Sequence, residues 1–252
     1  MTLWQAKLRA FSIHLTLSLA LAALAAALVF GVWFPYPYRE LSGGRELFLL
    51  IVSVDVVLGP LITLTVFNPA KSRREKLLDF GVIGLLQLGA LVYGLWTVAQ
   101  ARPVHTVFEY DRLRVVHAVD VPPELLPKAP PGLRTLPLSG PTLLSLRPMT
   151  TEEQLSMTMA ALAGVPLAAR PELWQGYEAG RAGILKAARP AADLLARFPA
   201  QAGAIERALS DTRRSAADVV YLPVAARKDV YWTALLDGKD ARVLAYLPID
   251  SF

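Results

Sequence analysis

No cysteine occurs among the 252 residues, so disulfides, zinc–thiolate sites and cysteine nucleophiles are excluded, and the redox compartment is left open. Histidine is scarce too, at three residues. The usual catalytic signatures are missing: there is no glycine loop with its lysine to cradle phosphate, no G-x-S-x-G elbow and no H-E-x-x-H. The chain therefore reads as a non-enzyme with no cofactor and no metal site. Charge is thin in the first part, where residues 1–100 hold 8 Lys/Arg and 5 Asp/Glu, against 18 and 16 in residues 101–252. The formal net charge of +5 is shared by both parts, so neither has the basic excess of a nucleic-acid binder.

What the sequence does have is hydrophobic length. A helix needs about 20 apolar residues to cross a hydrocarbon core of about 30 Å. Residues 11–34, 47–67 and 80–99 each supply them. The first stretch, with Lys7 and Arg9 ahead of it, resembles a secretory signal. Cleavable apolar cores run only about 7–15 residues, and this one continues to Trp33-Phe34, so it reads as an uncleaved anchor. Lys7, Arg9, Lys71, Arg73, Arg74 and Lys76 lie on one side of the stretches, and only Arg39 and Arg45 on the other. That asymmetry predicts a cytoplasmic N-terminus and an outer location for residues 101–252. Trp33, Phe34, Tyr36 and Tyr38, with Tyr93 and Trp96, form an aromatic belt at the same outer level. The expected fold class is a membrane protein: three transmembrane α-helices in residues 1–100 and one extracytoplasmic (periplasmic) α+β domain in residues 101–252.

Polar residues inside the apolar stretches are the candidate sites. Asp55 comes first, because a carboxylate within a span is costly and usually faces protein or water. It acts either in function or in tying the second span to its neighbours by hydrogen bonding. The other two spans hold no carboxylate, which excludes an intramembrane aspartyl protease and leaves a proton relay too few partners. Pro60 has no N–H for the carbonyl of Val56, so Gly59-Pro60 predicts a kink in the second span. His14 and Gln87 are the polar side chains of the first and third. The small pairs Ala22/Ala26, Ala23/Ala27 and Ala90/Gly94 are spaced for close helix approach in lipid.

Beyond residue 100, β-type runs at 104–110 and 113–119 flank Asp111-Arg112, read as a tight hairpin. On that register His105 and His117 lie on opposite sheet faces and share no metal; a one-residue bulge would reverse that. Seven prolines in residues 121–141 predict an irregular segment. Thr150 and Glu153 form a capping box before a helix bearing Leu155, Met159 and Leu162. Pro171 opens a further helix with Leu173, Tyr177 and Ile184 on one face. Short helices at 190–198 and 200–209 follow, then strands at 219–224, 230–236 and 242–247 with a turn at Asp237-Gly238. No internal repeat or low-complexity tail is present.

Residues 7–15 (KLRAFSIHL), 32–38 (VWFPYPY), 55–69 (DVVLGPLITLTVFNP), 71–75 (KSRRE), 79–87 (DFGVIGLLQ) and 102–112 (RPVHTVFEYDR) carry a likeness that is almost continuous through Arg112. With them the chain resembles the type IV pilin accessory proteins of the TfpX/TfpZ type; the remainder matches only in outline. The resemblance implies an inner-membrane, chaperone-like protein that assists the stability or assembly of a type IV major pilin, with no catalytic residue to carry over. Pilins of this kind bear a glutamate near the cytoplasmic start of their membrane helix, a buried charge that needs a donor. His14 and Gln87 are donors in the inner half of their spans, whereas Asp55 lies further out and has the wrong sign. The pilin helix is therefore expected between the first and third spans. The rival reading is a membrane-anchored periplasmic sensor or ligand-binding protein, weakened by the small amount of chain expected inside: about 10 N-terminal residues and one short loop.

Overall fold

The first long helix opens on a capping box. Thr2 Oγ1 accepts from the Gln5 N–H at 3.3 Å, and Gln5 Oε1 accepts from the Thr2 N–H at 2.8 Å. This helix, α1, spans Leu3–Trp33 and its last turn, Val29–Trp33, is π-helical. A short helical turn, Tyr38–Leu41, leads into α2, Gly44–Val66. A second capping box, Ser72 with Glu75, opens α3, Arg73–Gln100. The caps explain why α1 and α3 begin well before their apolar stretches: polar first turns are held by side chains, not by burial. These are features of a computed structural model that describes residues 2–154, 164–227 and 230–252. The chain divides into two compact units, Met1–Ala101 and Arg102–Phe252.

In the first unit all three helices are long and apolar enough to cross a membrane. Their large side chains point outward: Leu85 is 75% exposed, and Leu24 and Leu50 nearly as much. An outward apolar surface of that extent is the reverse of a water-soluble bundle. The interior contacts are few and specific. Phe30 and Phe48 meet edge to face at 4.9 Å beside Ala25, Val29, Phe34 and Val98. Of the small pairs, Gly94 is buried and Ala22 and Ala26 are half-buried, whereas Ala23, Ala27 and Ala90 face outward. Gly94 is required by close approach, since a Cβ there would lie 2.8 Å from the Ile51 side chain of α2.

The second unit is built on one mixed sheet. β1 (Pro103–Glu109) and β2 (Arg112–His117) form the first hairpin. Its two-residue loop is Tyr110-Asp111, one residue earlier than the expected Asp111-Arg112. Tyr110 takes the left-handed conformation (φ 57°) that a tight hairpin loop demands, which lets Glu109 pair with Arg112. β3 (Thr142–Leu146) lies parallel to β1, and β4 (Trp174–Gly176) antiparallel to β3. Neither strand was expected. β5 (Arg189–Pro190) pairs with β6 (Val219–Ala225), which continues through β7 (Tyr231–Asp237) to β8 (Val243–Leu247). β2 and β6 pair in parallel, giving the order β4-β3-β1-β2-β6-β7-β8.

The helix expected to start at Pro171 is corrected. Pro171–Leu173 is one 3₁₀ turn that feeds β4, because the Leu173 carbonyl accepts from the Arg147 N–H at 2.8 Å and Trp174 is buried with its indole on the Ala168 carbonyl. Helix α4 begins only at Arg181 (Arg181–Ala187), and α5 (Ala191–Arg197) and α6 (Ala202–Asp211) follow. The Thr150–Glu153 capping box forms, and Arg147 forks onto Glu153, holding that carboxyl down at about 2. The face expected at Leu155, Met159 and Leu162 lies outside the described residues. The proline-rich segment is irregular, with 3₁₀ turns, and its Leu126, Leu133 and Leu136 cover the core of Val104, Val107, Leu144 and Trp174. α5 and α6 cover the other half, packing Leu194, Ile205 and Leu209 against Tyr221, Leu235 and Leu247.

Candidate partner-binding groove

Asp55, Gly59 and Thr63 recur every four residues and therefore share one face of α2, which packs between α1 and α3. All three are buried; Thr63 is fully so. The ladder of α2 widens to a π turn over Val54–Leu58, directly before Gly59-Pro60. A π turn here accommodates the proline, whose missing N–H cannot serve the preceding turn, and such bulges concentrate at functional sites.

Each of the polar residues singled out from sequence sits on this face or against it. His14 of α1 shares a hydrogen bond between Nδ1 and Thr63 Oγ1 at 2.5 Å. Gln87 of α3 donates from Nε2 to the Asp55 backbone carbonyl at 3.2 Å, one of the carbonyls at the widened turn. The Asp55 carboxyl itself has no partner among the described residues on either oxygen. Counting depth along the sequence had set Asp55 apart from His14 and Gln87. The fold instead gathers all three around one cavity of about 210 Å³, with Ser18 and Leu88 in its wall. A second cavity of about 520 Å³ shares His14, Leu17, Gly84 and Gln87 with the first and reaches Arg9 and Phe67. Together they make one groove between α1 and α3, roughly 24 Å long from Ala6 to Ala22 at 1.5 Å per residue. Thr63 was not anticipated, although its spacing of four from Gly59 was a visible signal.

Gly59 is what lets the helices meet here. A Cβ at this position would lie 1.8 Å from Gln87 Nε2. Gly59→Ala should therefore expel the Gln87 amide and break its bond to the Asp55 carbonyl, a loss of up to about 1.7 kcal/mol. That exceeds the gain of up to about 1 kcal/mol from alanine as the better helix former, so stability in detergent should fall slightly. Adding Gln87→Ala should recover part of that loss. A Gly59→Ala protein that melts at or above the parent temperature would show that Gln87 does not occupy this contact.

The two histidines of the sheet domain take different partners. His105 Nδ1 bonds Thr142 Oγ1 at 2.7 Å and its ring meets Trp174 edge-on at 4.5 Å. Burial pushes this imidazole down to about 4. His117 Nδ1 bonds Asp120 Oδ2 at 3.0 Å beside a cleft of about 480 Å³ that Arg114 and Arg227 also line. Among the described residues no cluster of three or more His, Asp or Glu is placed to hold a metal.

Comparison with known proteins follows the whole chain. The family model described as Fimbrial assembly protein FimB matches residues 2–43. The chain is 37% identical to "Fimbrial assembly protein, serogroup I" of Dichelobacter nodosus over 242 residues, which is 95% of this chain and 94% of that one. It is 36% identical to "Fimbrial assembly protein, serogroup E1" of the same organism over the same shares. "Fimbrial assembly protein, serogroups C1 and C2", also from that organism, is 44% identical over 117 residues, 46% of this chain and 89% of that one. No solved structure matches the chain.

Proposed function

Because this chain belongs to the fimbrial assembly protein family, we propose that it is a non-enzymatic accessory protein of type IV pilus assembly that sits in the inner membrane and binds the major pilin. In this reading α1, α2 and α3 span the bilayer, the N-terminus is cytoplasmic and Arg102–Phe252 is periplasmic. The membrane helix of the pilin lies in the groove between α1 and α3, and the sheet domain is available to its globular head. The groove is the observation that carries the reading. It is open and apolar along its length, and its polar groups are gathered at one place instead of being scattered. His14 uses Nδ1 on Thr63 and keeps Nε2; Gln87 uses one N–H on Asp55 and keeps the other. A protein of this design would shelter an apolar pilin helix before assembly without any chemistry of its own.

Photo-crosslinking tests it. Crosslinkers at positions 14 and 87 should capture pilin several-fold more efficiently than crosslinkers at Leu58 and Leu61, which are exposed on α2. Equal capture at all four positions, or none at 14 and 87, removes the groove as the docking face. The sensor reading places a ligand in the cleft beside His117. A small metabolite, with no pilin, copurifying with the detergent-extracted protein would favour it.

A further inference from the structure

We infer that the helix seated in the groove presents a hydrogen-bond donor to Asp55. This rests on the groove being a docking site for a membrane helix, and it names the chemistry that helix must bring. The argument is one of supply. Asp55 is buried, lines the inner wall of the 210 Å³ cavity and leaves both carboxyl oxygens without a partner among the described residues. Ionised or protonated, a carboxyl keeps acceptor sites to be filled. In lipid no water competes for the role, and an unpaired polar group there is costly. Of the donors in the cavity wall, Gln87 gives one N–H to the Asp55 backbone carbonyl and His14 engages Thr63 through Nδ1, and neither side chain bonds the Asp55 carboxyl. Lys7 and Lys71 of the first unit are bonded at the ends of the helices, to the Thr65 carbonyl and to Asp79.

An incoming carboxylate is the wrong complement at this point, since it would meet Asp55 across the same cavity. The sequence reading assigned the groove to donors awaiting an acidic partner. Among the described residues the buried side-chain atoms of the wall that lack a partner are the two Asp55 oxygens, which are acceptors. The groove thus selects an apolar helix carrying one donor at the depth of Asp55, and the carboxyl acts as its register mark.

Synthetic helices test the selectivity without any assumption about the natural partner. The chain has no cysteine, so full-length protein with Ala70→Cys takes a single fluorescent donor in phosphatidylethanolamine/phosphatidylglycerol vesicles. Acceptor-labelled polyleucine peptides of about 22 residues would carry leucine, lysine or glutamate at the centre. Energy transfer should report the lysine peptide binding about five- to tenfold more tightly than the leucine parent, the size expected of one polar contact between helices in lipid. The glutamate peptide should gain nothing. Asp55→Leu should return the lysine peptide to the parent level and leave the parent peptide unaffected; if that variant does not fold, Asp55→Asn should reduce the lysine advantage. Glutamate binding more tightly than lysine, equal binding of all three, or a lysine advantage unchanged in both variants overturns the inference. Crosslinking to pilin with no lysine preference would sink this inference alone, and a lysine preference without crosslinking would sink the pilin reading alone.

Discussion

A reporter that is active only outside the cytoplasm, fused after Phe252, is expected to be fully active, and the same reporter inserted between Phe67 and Ser72 is expected to be silent. The expectation follows from charge and from how the helix ends hold it. Lys7, Arg9, Lys71, Arg73, Arg74 and Lys76 mark one set of ends, against Arg39 and Arg45 at the other. Basic residues near short loops stay on the cytoplasmic side. The fold adds a local reason for these positions. Lys7 Nζ donates to the Thr65 carbonyl at 3.2 Å and Lys76 Nζ to the Pro69 carbonyl at 2.8 Å, so cations at the starts of α1 and α3 cover carbonyls left open at and just beyond the end of α2. Lys71 is tied to Asp79 at 2.6 Å. Neutralising Lys71, Arg73, Arg74 and Lys76 together leaves two basic residues on each side. Activity after Phe252 should then fall towards that of a chain inserted both ways. Full activity from the loop fusion in the unaltered protein would invert the orientation and, with it, the assignment of Arg102–Phe252 to the periplasm.

The long-range signals in this chain were legible in its sequence because they are made by many residues at once. Three apolar lengths locate α1, α2 and α3, and the residues from Lys7 to Arg112 carry the family resemblance that the comparison with the relatives bears out. The strands β6, β7 and β8 were also visible, since each holds β-branched and aromatic residues in a short apolar run. What escaped was set by partners distant in sequence. β3 and β4 are three to five residues long and exist as strands because β1 lies beside β3. The same is true of the Leu173, Tyr177 and Ile184 spacing: it fits a helix, yet each residue is buried from a different element. The site shows both limits. Asp55, His14 and Gln87 stand out as polar residues in apolar surroundings, but a count of depth along separate helices could not anticipate the π turn, nor the glycine that lets Gln87 reach the Asp55 carbonyl.

Acidification from pH 6.5 to about 4 is expected to cost the sheet domain roughly 3 kcal/mol of stability through His105 alone. The imidazole is 1% exposed between Trp174 and Thr142, and its Nε2 has no partner among the described residues. Desolvation disfavours the charged ring, which lowers its folded pKa from 6.5 to about 4. Between those values the unfolded chain takes up a proton that the folded domain refuses. Unfolding is therefore favoured progressively as pH falls, and the contribution is fully present only above 6.5. Asp237 and Glu153 have carboxyls held below their ordinary values by backbone and Arg147 contacts, so their loss belongs to a more acidic range. Unfolding of the full protein in detergent, followed by pulse proteolysis of the sheet domain at pH 7, 5.5 and 4.5, separates the two. His105→Gln removes the titrating ring, so it should flatten the limb between pH 6.5 and 4.5 and leave the steeper loss below it. A wild-type limb no steeper than that of His105→Gln would mean that the ring is charged in the folded domain. The edge-on packing of His105 against Trp174, which seats β4 at the edge of the sheet, would then have to tolerate an imidazolium.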